Sequence, residues 1–179
     1  YFYLWNHNHF KSLQVNKTAC IISFLIAVTF VSCGPTRQGA IDLNDTIVTD
    51  QKQILDKENK LIAAFNAGSD RKAIEAAHKE MLNLLNSLQK KYADMEPFDD
   101  KDTFRKAMIE LIDTYKSITV NEYAEMIKIS FEEYDEAANL KWKSLVKSLN
   151  DKAGGANDRW LTAQEEFSKQ YNFDIQIEQ

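Results

Sequence analysis

The residues best suited to chemistry are Glu75 and His78, in the run Glu75-Ala-Ala-His78, together with Glu58. A Glu-x-x-His step on a helix places a carboxylate and an imidazole one turn apart on one face, and bundles that hold two metal ions present their ligands this way. Glu58 lies ten residues before Gly68 and His78 ten after it. If Gly68 turns one helix back on another, Glu58 and His78 stand at the same height, and a Glu58–His78 contact is expected. Two readings follow. In one, the pair is structural and sits at the edge of the core. In the other, Glu58, Glu75 and His78 are metal ligands. The second needs inward carboxylates on the remaining helices, and the apolar stripes found there contain none. His78 is the only histidine beyond residue 33, so a site needing two imidazoles is excluded from that part of the chain.

The elements that must position these groups are read from apolar spacing. Pro (2) and Gly (5) are scarce among 179 residues, which favours helices over sandwiches and barrels, whose turns require breakers. Ile47, Val48, Ile54, Leu55, Leu61, Ile62 and Phe65 form one helical stripe from about Asp45. Gly68 is placed to end that helix in a left-handed cap, and Ser69 or Asp70 to start the next. The second stripe is Ile74, Ala77, Met81, Leu84, Leu85, Leu88 and Tyr92, with Pro97 as its terminator. So short a connection makes the first two helices an antiparallel hairpin.

Asp99 or Asp100 is expected to cap a third helix, with Phe104, Met108, Leu111, Ile112, Tyr115 and Ile118 facing inward and an end near Ile129. Ile118-Thr119-Val120, with Thr119 and Glu122 at capping-box spacing, suggests a kink. A fourth stripe starts at Phe131 and runs through Trp142, Leu145 and Leu149. It continues to Ala153, Ala156, Trp160, Ala163, Phe167 and Tyr171 without losing phase across Gly154-Gly155. One long, bent helix over 131–171 is favoured over two helices broken at the glycines, with close backbone packing offsetting the roughly 2 kcal/mol that two glycines cost. The fold class is therefore all-α: an antiparallel four-helix bundle over 45–173 with a short tail over 174–179.

The first 33 residues differ in kind. They hold no Asp or Glu, carry Lys11 and Lys17, and then run from Ala19 to Val31 as ACIISFLIAVTFV. Thirteen residues make a helix of about 20 Å, against about 30 Å of hydrocarbon, which suits the apolar region of a signal peptide and not a membrane span. Tyr1 stands where an initiator Met is expected, so Trp5, His7 and His9 are read as part of a fragmentary or over-extended start, without structural meaning.

Phe30-Val31-Ser32-Cys33-Gly34 resembles the lipobox of bacterial lipoproteins, with Phe30 where Leu is commonest. The resemblance covers about 20 residues: the basic stretch, the apolar run, the small Ser32 and Cys33 itself. It implies that residues 1–32 are a removed signal peptide, that the Cys33 thiol carries a diacylglycerol, and that the new amine is often acylated. Two or three acyl chains hold a protein at a membrane where one alone binds marginally. Residues 33–44 are expected to be the lipidated Cys and a flexible tether reaching about 20 Å. Gly34-Pro35 in place of an Asp after the Cys implies the outer membrane, on its periplasmic or its surface face.

Cleavage before Cys33 leaves 147 residues with 20 basic and 27 acidic side chains, a formal charge of −7. Such a chain is repelled by nucleic acid. With Cys33 modified and Cys20 removed there is no disulfide framework and no thiol chemistry. No G-x-S-x-G, Gly-rich phosphate loop or H-E-x-x-H is present, so neither enzymatic activity nor a cofactor is expected. The combination is similar to the helical-bundle envelope lipoproteins of diderm bacteria, which implies a location more than an activity, and the first reading is a protein-binding or structural role. The alternative is a ferritin-like metal bundle using Glu58, Glu75 and His78. A small-ligand carrier would need a cavity, and Phe104, Phe131 and Trp142 on the stripes point to a filled core. The membrane through Cys33 and a protein in the envelope are the expected partners. The residues leave the oligomeric state open.

Overall fold

Thr36 begins the ordered helical body: its backbone is extended and its Oγ1 accepts the Gly39 N–H at 3.1 Å, a side-chain cap of the usual N-terminal kind. The computed structural model describes residues 34–132 and 135–175. The expected signal peptide 1–32, Cys33 and the last residues of the tail lie outside them.

Helix α1 spans Arg37–Asn66, α2 Arg71–Asp94, α3 Thr103–Ile118, α4 Ala124–Ile129 and α5 Glu136–Tyr171. A five-residue π-helical turn, Thr119–Tyr123, joins α3 to α4, so these three segments form one rod. The four rods make the expected antiparallel bundle. Thr36, the 95–102 loop and Asn172 lie at one end. Gly68 and the 130–132 turn lie at the other.

The α1–α2 turn follows from two residues. Gly68 adopts φ +62°, open to glycine without a Cβ penalty, and Asp70 accepts the Ala73 N–H at 2.8 Å. Within α1, Ala40, Ile47, Ile54 and Leu61 are completely buried. Burying an Ile or Leu contributes about 1.5–3 kcal/mol, against about 1 kcal/mol for a typical hydrogen bond. Apolar rows therefore supply most of the stability, and polar contacts fix how the helices are rotated against one another.

Several expectations are corrected. Residues 37–44 are not a flexible tether but the first two turns of α1. Their Gly39 lies under Phe98, where an added Cβ would come within 3.2 Å of the ring. Neither Asp99 nor Asp100 is the N-cap of α3. Asp102 takes that position in a left-handed conformation, and the Asp99 carboxylate accepts the Asp102 N–H at 2.6 Å. The last helix starts at Glu136, capped by Asp135 through the Ala138 N–H at 2.7 Å. Phe131 thus belongs to the preceding turn, 39% exposed beneath the Arg71 guanidinium.

Helix α5 is continuous through Gly154-Gly155, as its phase predicts, but close backbone packing is not the reason. A Cβ at Gly154 would meet nothing within 4 Å. At 36 residues α5 is about 54 Å long, and from Glu136 to Ser148 none of its side chains is fully buried. From Leu149 onward it is firmly seated. Phe167 is in ring contact with Phe98, Phe104, Tyr171 and Phe173, so the start of the tail docks on the same aromatic cluster.

Candidate functional site

The π-turn is where the chain concentrates buried polar groups. Thr119 is fully buried, and its Oγ1 donates to the Tyr115 carbonyl one turn back at 2.7 Å. Such back-bonding by a β-branched hydroxyl bends a helix and competes with its ladder. The Thr119 carbonyl in turn faces His78 Nε2 on α2 at 2.8 Å. A carbonyl only accepts, so this nitrogen must carry the proton. The capping box proposed for Thr119 and Glu122 does not form. The kink is a π-turn held by side chains from all three neighbouring rods.

From α1 comes Glu58, 8% exposed, whose Oε1 accepts the Tyr123 hydroxyl at 3.0 Å, with Tyr115 as a second hydroxyl partner. Asn157 Nδ2 on α5 donates to Tyr115 at 2.8 Å. Burial raises the Glu58 pKa above the usual carboxylate range, and the two tyrosines offset only part of that rise. Burial, with the Glu58 charge adding to it, pushes Tyr115 up to about 12 and Tyr123 higher still.

Also from α5, Ser148 Oγ and Lys152 Nζ donate to Glu122 Oε1 at 2.8 and 2.5 Å. Burial alone would raise the Glu122 pKa, but these two donors and the lysine charge outweigh it, and the net shift is downward.

The structure separates the three residues that sequence reasoning grouped. Glu58 turns to Tyr123 and Tyr115, and His78 to the Thr119 carbonyl, so the expected Glu58–His78 contact is replaced in both cases by a partner on the third rod. Glu75 is exposed and pairs with Arg71 at 3.5 Å, an i,i+4 surface contact. Among the described residues, no three His, Cys, Asp or Glu side chains come together to hold a metal ion.

Two further polar insertions went unseen in the sequence. Asp50, 4% exposed, accepts from the Tyr92 hydroxyl at 2.7 Å and from Lys91 at 2.6 Å. Asn44 accepts from Gln164 at 2.9 Å. A signal for part of this existed. Stepping by sevens through Ala40, Ile47, Ile54 and Leu61 marks the buried face, and positions 44 and 58 fall on it as polar residues.

Chemically, the π-turn cluster pairs most of its donors and acceptors internally, and among the described residues Glu122 Oε2 is buried without a partner. Of the cluster's residues, Lys152 alone lines one of the surface grooves described. Two run between α3 and α5, with volumes of about 620 and 480 Å³, and a third of about 680 Å³ lies at the Thr36 end. None is lined by Glu58, His78, Tyr115 or Tyr123. The arrangement fixes the register of four rods.

Comparison with protein-family models, curated proteins and solved structures finds no match.

Proposed function

We propose that this chain is a lipid-anchored envelope lipoprotein whose helical bundle has a non-enzymatic, protein-binding or structural role. The observation that carries the reading is the succession of apolar run, Ser32 and Cys33, followed within three residues by the Thr36 cap of the first helix. Signal peptide, modified cysteine and folded body thus follow one another directly. By the same resemblance the membrane is the outer one. A bundle whose buried polar groups mostly pair with one another, with Glu122 Oε2 and Trp160 Nε1 the exceptions among the described residues, also suits a body that displays a surface and turns over no substrate.

The test is the mass of the amino-terminal peptide of protein purified from the producing bacterium, together with the membrane partition of a Cys33→Ser variant. A diacylglyceryl Cys33 as first residue and release of the variant from membranes are expected. A bare thiol joined to the leader overturns the proposal.

A further inference from the structure

The groove at the Thr36 end is lined by Pro35, Pro97, Phe98, Asp99, Asp100, Asp102, Arg105 and Lys106. Pro35 stands two positions after Cys33, and the Thr36 cap three. Three extended residues reach about 10 Å at most. On the proposed lipoprotein reading, with the tether replaced by helix, this end of the bundle is therefore held at the headgroup layer.

The charges of the groove decide which headgroup fits. Arg105 and Asp102 are spoken for, in a 2.5 Å ion pair with both side chains largely buried. Asp99 accepts from Tyr171 and Gln170. That leaves Asp100 and Lys106, both exposed. Among the described residues neither is in an ion pair, and Lys106 Nζ reaches only the Lys101 carbonyl, at 3.2 Å. One open carboxylate and one open ammonium thus share a groove that holds three carboxylates and two cations. Around it the exposed Asp94 and Glu96 are matched by the exposed Lys101 and Arg37, so the surroundings carry no excess of positive charge to favour an anionic headgroup over a zwitterionic one. A choline headgroup has no N–H to give to a carboxylate.

The geometry points to a docking surface for a zwitterionic phospholipid with a primary ammonium, of the phosphatidylethanolamine type. Its ammonium donates to Asp100 and its phosphate accepts from Lys106, in charge-assisted hydrogen bonds. Phe98 and the two prolines supply the apolar floor.

The test uses full-length protein isolated with its native amino terminus and reconstituted in three kinds of vesicle: phosphatidylethanolamine mixed with phosphatidylcholine, phosphatidylcholine alone, and phosphatidylcholine with phosphatidylglycerol. Amide hydrogen exchange is followed over 97–106, with the Gly68 turn as the remote control. Exchange over 97–106 should be several-fold slower with phosphatidylethanolamine than in the other two, with no change at Gly68. Asp100→Asn with Lys106→Gln should abolish the difference at an unchanged melting temperature. Equal exchange in all three vesicles, stronger protection by phosphatidylglycerol, or a preference that survives the double substitution overturns the proposal. Mass spectrometry of the same sample reports on Cys33 independently, so loss of the anchor and loss of headgroup selection are read separately.

Discussion

Tyr123 on the π-turn donates its hydroxyl to Glu58 on α1 at 3.0 Å, across the interior of the bundle. The contact joins residues 65 positions apart and sets the rotation of the first rod against the third. Tyr123→Phe removes one donor from a buried carboxylate while keeping the ring. A loss of about 1–3 kcal/mol of stability is expected, read from the midpoint of urea unfolding. An unchanged midpoint would show that the pair contributes nothing to the fold.

Glu58 and Glu122 should respond to pH in opposite senses. The Glu58 pKa is higher folded than unfolded, so the stability linked to it is complete below the ordinary carboxylate pKa. It is lost as pH rises through the folded value. The Glu122 pKa is lower when folded; its contribution is present above the ordinary value and is lost as pH falls through the folded one. Glu58→Gln should therefore gain stability relative to wild type as pH rises above 4.5 toward 7, and Glu122→Gln should gain it relative to wild type as pH falls below 4.5. Melting curves at a series of pH values decide, and parallel curves for both variants would refute the assignment.

The glycines give a contrasting pair. Gly154→Ala adds a methyl in open space within a helix and should stabilise by about 1 kcal/mol. Gly39→Ala pushes a methyl against the Phe98 ring and Thr36 Oγ1, both at 3.2 Å. An overpacking cost of about 1–3 kcal/mol should exceed the helical gain. Thermal unfolding of the two variants should shift in opposite directions.

Asp50→Ala strips the acceptor from the buried Tyr92 hydroxyl and leaves Lys91 without its carboxylate. A loss of about 1–3 kcal/mol is expected. Tyr92→Phe added to Asp50→Ala should cost less than the sum of the two single changes, because the stranded donor is gone. Additivity in that double-mutant cycle would contradict the contact.

Much of the architecture is legible in the residues because it depends on local rules. Gly68 and Asp70 mark a turn by backbone freedom and capping, and the stripe from Leu149 to Tyr171 keeps phase through two glycines. What failed depends on partners distant in sequence. The stretch from Gly34 to Asn44 has the composition of a linker, and only Phe98, 59 positions further on, makes Gly39 the right residue for a first helical turn. Glu58 and His78 are expected at one height, but spacing along a hairpin says nothing of rotation about each helix axis. The third rod settled that, through a π-turn whose extra residue leaves no mark on apolar periodicity.

The unequal seating of α5 gives the molecule a direction of failure. Between Glu136 and Ser148 the helix rests on its neighbours with side chains such as Trp142 and Leu145 only partly buried, whereas its last turns are clamped by rings from the 95–102 loop, α3 and the tail. Heat, force or a protease should therefore peel it from the Gly68 end, and the strand of contacts nearest Thr36 should be the last to part.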